Sequence, residues 1–145
     1  MLPSSKQFIA IKQASTTIAN TAVCSGIDTR GFDFASIDIV LGAANVVSNH
    51  PSVFALTECD TDTATSYATV SGFVGDTDWT ISSAVGVTNV YGVRMNVDLR
   101  GRKRYLKLAI SPRTTQIITA VANLHRAEEM PNSITEAGVT NLIEG

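Results

Sequence analysis

The chain has 145 residues, 44% of them apolar, and a formal net charge of −2. That length is enough for one domain that buries about two thirds of its unfolded surface, so folding needs no disulfide scaffold. The acidic balance excludes wholesale attraction to phosphate backbones, and no apolar run reaches the roughly 18 residues of a membrane helix.

In chain order, the opening residues lack the sustained apolar core of a secretory signal. Gln7 to Lys12 is a short candidate strand carrying Phe8, Ile9 and Ile11. Ala35, Ile37, Ile39 and Leu41 alternate with Ser36, Asp38 and Val40. Val53 to Glu58 follows, with Phe54 and Leu56 on one face, then shorter candidates over Ser66 to Val74 and Thr77 to Ser82. The clearest period comes next. Val93, Met95, Val97 and Leu99 alternate with Arg94, Asn96, Asp98 and Arg100, so one strand face is apolar and the other polar. After Gly101 the period returns, with Leu106, Leu108 and Ile110 against Tyr105, Lys107 and Ala109. Two such runs around a short Gly-containing link predict an antiparallel hairpin. Ile117 to Leu124 is apolar at both parities, as expected of a strand covered on both faces. Beyond it, Ser133 with Glu136 three residues on reads as a capping box, predicting a short helix over Ile134 to Ile143.

Seven or eight strands separated by turn signals predict an all-β, antiparallel two-sheet sandwich or jelly roll with a short C-terminal arm or helix. The expected organisation is an N-terminal strand and arm over 1–26, a core over 27–126 and a C-terminal arm over 127–145, one domain in all. The apolar residues near the two ends are candidate intersubunit contacts: Phe8, Ile9, Ile11, Leu142 and Ile143. Packing on their own domain is the alternative role.

Reaction chemistry finds little support. The two histidines, His50 and His125, are read as turn and surface residues, and no G-x-S-x-G elbow exists. Asp60 and Asp62 resemble the start of a calcium loop, but Thr65 and Ser71 stand where Gly and Glu are required. A solvated loop is the expectation there, with a weak cation as the alternative. Cys24 and Cys59 form no CxxC pair, and with the histidines they miss zinc-ligand spacing. No cofactor motif is present, so neither catalytic nor metal residues are assigned and the chain is not expected to be an enzyme. Trp79 and Tyr91 are expected as core or interface filler rather than a sugar platform. Arg100, Arg102, Lys103 and Arg104 crowd one link, where like charges add nothing to a fold. They are either a solvated tip or a docking point for an acidic protein surface. With only Tyr105 adjacent, no direct nucleic-acid contact is expected.

Four segments in order carry a family resemblance. These are "DTRGFDFASIDIVLG" at 28–42, "LTECDTD" at 56–62, "RKRYLKLAI" at 102–110 and "LHRAEEMP" at 124–131. Together they resemble the decoration, or cement, proteins of tailed-bacteriophage heads, over residues 28–131. The resemblance implies a jelly-roll structural protein, made in the bacterial cytoplasm and carried on the outside of the virion head. It implies the major capsid protein and other copies of itself as partners, in homo-oligomers that are trimers more often than dimers, holding capsid subunits against internal DNA pressure. The stretch after Pro131 departs from the pattern and implies an arm that swaps between subunits or reaches the lattice. A carbohydrate-binding module of a tail fibre and a head-completion or tail ring component are the alternatives. No membrane partner is expected.

Overall fold

A computed structural model describes residues 5–12, 22, 24–43, 50–82, 90–125 and 141–144. Among them are nine strands: β1 (Ser5–Lys12), β2 (Ile27–Asp28), β3 (Phe34–Leu41), β4 (Val53–Cys59), β5 (Ala68–Val74), β6 (Tyr91–Asp98), β7 (Tyr105–Ser111), β8 (Ile118–His125) and β9 (Asn141–Glu144). They form a five-stranded sheet ordered β1-β8-β3-β6-β9 and a four-stranded sheet ordered β2-β7-β4-β5. The expected two-sheet sandwich is therefore present, antiparallel throughout except that β9 runs parallel to β6.

The pairing has a simple rule. β1 pairs with β8, β2 with β7, β3 with β6 and β4 with β5. This is one long antiparallel ribbon, rolled so that successive rungs fall in alternate sheets. Contacts of β3 with β8 and β4 with β7 join the rungs sideways. Such a roll of eight strands is the jelly-roll topology.

Period-2 alternation explains the core. Ala35, Ile37, Ile39 and Leu41 of β3, Val93, Met95 and Val97 of β6, and Leu106, Leu108 and Ile110 of β7 all point inward and are buried, as predicted. Phe54, Leu56 and Phe73 fill the opposing sheet's inner face. The outward positions of β8, by contrast, lack the second cover the sequence predicted. Val121 is only half-buried and Ile117 is exposed.

Three further expectations are corrected. The two alternating runs around Gly101 do not form a hairpin: β6 and β7 belong to different sheets. Their link turns a corner of the sandwich. Thr77 to Ser82 is not a strand: Asp76 to Asp78 form a turn, and among the described residues the ladder contact there is the isolated bridge Gly75–Trp79. The Asp78 carboxylate holds that turn, accepting from the amides of Gly72 (2.8 Å) and Val74 (2.9 Å). Finally, residues 141–143 of the predicted helix lie in β9, with Ile143 buried in register with Met95. Residues 134–140 of that helix lie outside the described residues. Both end strands are thus seated in the five-stranded sheet, one at each edge.

Candidate protein-interaction site

Two crossings between the sheets lie side by side at one end of the sandwich. The chain passes from β2 to β3 through 29–33 and from β6 to β7 through 99–104, and Phe34 is paired with Asp98 where these begin and end. Both crossings start with the same local sequence, Asp-x-Arg-Gly, at Asp28–Gly31 and Asp98–Gly101. Each aspartate bends back to accept the amide two residues on, Arg30 at 3.2 Å and Arg100 at 3.0 Å. Short side chains that bond locally in this way initiate turns. The turns then close through Phe32 N to Thr29 O (3.1 Å) and Arg102 N to Leu99 O (3.1 Å). Gly31 (φ 85°) and Gly101 (φ 84°) occupy the left-handed position that a type II turn requires.

The corners are tied to each other. Thr29 donates both its amide (3.0 Å) and its hydroxyl (2.7 Å) to the Arg104 carbonyl. Leu99 N donates to Asp33 O (2.8 Å). Arg104 grips Asp28 through two hydrogen bonds, 3.0 and 2.8 Å, a pair 76 positions apart in sequence. Arg100 grips Asp98 the same way (2.9 and 2.7 Å) and stacks over Phe34, 5.2 Å from its centroid. Lys103 Nζ reaches Asp60 at 3.7 Å, and its amide donates to Glu58 (3.2 Å).

This arrangement changes the meaning of the four cations. Sequence alone places them where the fold has no use for them. In the structure, Arg104 clamps the two crossings, and Arg100 and Lys103 have carboxylate partners. Among the described residues, no carboxylate lies in ion-pair range of Arg102 or of Arg30, which in the other crossing occupies the turn position matching Arg100. Sequence reasoning misses Arg30 as a site residue, although the repeated Asp-x-Arg-Gly equates it with Arg100. The contact-ready charge of this corner is therefore Arg30 and Arg102, with Lys103 at its rim.

The guanidinium bonds also set the acid response. Arg104 holds the Asp28 carboxyl down at about 2, and Arg100 holds Asp98 at about 2, against an ordinary aspartate near 3.9. Depressed folded-state values mean that stability is present above about pH 4 and lost as pH falls through 2. Thermal melts between pH 5 and pH 2 should show a steeper fall for the natural protein than for Asp28→Asn. Equal slopes would mean that the corner does not fasten the fold.

The remaining sequence candidates are dispersed. Ile11 lies in the core with Ile143. Phe8 is half-buried against that core, and Leu142 is in register with Arg94 on the sheet's far edge. Ile9 alone of the apolar end residues with described side chains is exposed. His50 bonds Asp76 at 3.0 Å at the opposite end of the sandwich from His125, which lies 3.4 Å from Ser36. Asp60 and Asp62 turn to different partners, Lys103 and the Tyr67 hydroxyl. Among the described residues no group of three or more His, Cys, Asp and Glu side chains could hold a metal ion. Both cysteines are free and buried, and burial raises the Cys24 thiol. Trp79 packs edge-on against Phe54 and Tyr91 is buried, so neither offers an open stacking face. No helix among the described residues is long and apolar enough to cross a membrane.

The fold and this corner define the class: an eight-stranded jelly roll with a ninth strand added in parallel at one edge. No family model matches the chain, and no curated protein matches it. Among solved structures, the SPBc2 prophage-derived protein YomS aligns over 86% of this chain and 95% of its own, at 14% identity and a TM-score of 0.44. The coat protein of Tobacco streak virus, solved as a dimer, aligns over 92% of this chain and 95% of its own, at 11% identity and a TM-score of 0.31.

Proposed function

We propose that this chain is a structural protein of a phage virion, a decoration protein that binds the outside of the head and braces neighbouring major capsid subunits. The observation that carries the reading is the convergence of the segments behind the family resemblance. "DTRGF", the end of "LTECDTD" and "RKRY" are distant in sequence, yet they meet at one corner through Asp28–Arg104 and Lys103–Asp60. They thus behave as parts of one construction rather than as separate short matches. Rigid two-sheet slabs suit this role, since the work is binding and no bond is made or broken.

The mechanism is linkage. A protein that binds only the expanded lattice stabilises it by RT ln(1 + [L]/Kd) per site. Repetition over the shell turns a modest affinity into mechanical reinforcement. Arg30 and Arg102 supply the attraction to capsid carboxylates, and arginine suits such contacts because its planar fork binds carboxylates in pairs.

The test is addition of the purified protein to heads that lack it. Expected is saturable binding at a copy number far above that of a single portal or tail ring, with improved survival on heating. Arg30→Ser with Arg102→Ser should weaken binding and flatten its dependence on salt, while leaving the Asp28–Arg104 clamp in place. Binding limited to one ring's worth of copies, or none, would end this reading.

A further inference from the structure

We propose that Asp78 shuts the free edge of β5 against the addition of a strand from another polypeptide. Among the described residues the two sheets end in four edge strands, β1 and β9 in the larger and β2 and β5 in the smaller. An edge strand offers unpaired N–H and C=O groups to any extended chain, and charge on the edge is a common safeguard. β1 carries Lys6 and Lys12, β2 carries Asp28, and β9 carries Glu144. β5, with the sequence ATVSGFV, carries no charge, and Ala68, Thr69 and Ser71 on it are exposed. From Thr63 to Gly75 the chain has neither a charged residue nor a proline. An uncharged, β-prone edge without proline is the composition that invites pairing between chains.

Asp78 brings the missing charge from outside the strand. Val74 stands opposite Ala55 of β4, but the amide that donates to β4 is that of the next residue, Gly75 N to Phe54 O at 2.7 Å. Val74 therefore turns its own N–H and C=O away from β4, toward the free edge. Asp78 engages both. Its Oδ2 accepts from Val74 N at 2.9 Å, and its amide donates to Val74 O at 2.7 Å. One residue thus imitates the two-bond exchange of an antiparallel partner strand. The same Oδ2 accepts from Gly72 N at 2.8 Å. The strand itself is bent there: its register on β4 shifts between Ala55 and Thr57, and Gly72 sits at φ 87°. Asp78 is exposed. An incoming strand has to displace its carboxylate and then run its own carbonyls past that negative charge.

This role stands apart from the head-coating reading, because it is read on the isolated protein. Amide hydrogen exchange is the first measurement. In the natural protein the amides of Gly72 and Val74 should be protected although both lie on an open edge. Asp78→Ala should speed their exchange by roughly five- to tenfold, the net worth of the bond each loses. Sedimentation velocity and thioflavin T binding are the second, made at a temperature where circular dichroism shows the fold intact. Asp78→Ala should gather into species heavier than the natural protein that bind the dye. Adding Ser71→Lys, which puts a charge on β5 itself, should disperse them. Asp78→Asn keeps an oxygen that can accept from both amides and should stay dispersed. Unprotected Gly72 and Val74 amides in the natural protein would overturn the proposal without recourse to any variant. So would a folded Asp78→Ala protein of natural mass, or assemblies that Ser71→Lys leaves intact, since those would join elsewhere.

Discussion

Phe54→Ala is expected to destabilise the protein by about 3–5 kcal/mol. Phe54 is 1% exposed and sits near the start of β4, on the smaller sheet's inner face. Its ring meets Trp79 edge to face, with centroids 5.2 Å apart and planes at 84°. Its carbonyl accepts Gly75 N at 2.7 Å, so the backbone that carries Trp79 is fastened to the same residue. Truncation removes the ring and leaves a cavity that this doubly tethered turn cannot collapse to fill. The cost is a large fraction of the roughly 5–15 kcal/mol available to a domain. Trp79 is the sole tryptophan, so its fluorescence reads both the loss of the neighbour and the unfolding transition in urea. A shift under about 1 kcal/mol would show that the pocket repacks. Phe54→Leu should cost less, because it keeps much of the volume.

Ile143→Ala is the second large effect, at about 2–5 kcal/mol. Ile143 is 6% exposed and is the described side chain by which β9 is anchored to the core. The strand has four residues, so one buried side chain is a large part of its hold. Loosening it uncovers the edge of β6, whose other side is occupied by β3. An unpaired edge is a template for another chain. Two readouts should therefore move together: the denaturation midpoint falls, and the amides of Met95 to Val97 exchange faster with solvent. Unchanged stability would mean that β9 is held by something other than Ile143.

Alternation alone makes much of the fold legible. β3, β6 and β7 each bury one parity, and a one-residue slip would put all their apolar side chains in water. Alternation does not say which sheet a strand enters. The link at Gly101 looks like a hairpin because a type II turn with glycine serves a corner equally well. The distinguishing mark is the second copy of Asp-x-Arg-Gly at 28–31, which sets the two crossings in parallel roles. β2 has two residues, too few for any period to show. β9 is hidden by Ser133 and Glu136, whose local capping pattern says nothing about a parallel partner some 48 positions earlier, as Arg94 is to Leu142. At the candidate site, the cation cluster is visible in the sequence but its neutralisation is not. Asp28 and Arg104 are strangers in sequence, and their meeting depends on both crossings being built. Trp79 and Tyr91 behave as filler, as expected of scarce aromatics in a β-rich chain.

The ribbon rule has a consequence for synthesis. Its outermost rung joins Ser5 to His125, so β1, made before the other described strands, waits for β8. Until then the Phe8 and Ile11 side chains have no sheet to enter, and the nascent chain shows apolar surface to solvent. Long-range closure of this kind slows folding. Fragments stalled before β8 should be chaperone clients, and the arrival of β8 should be the step that commits the chain to its shape.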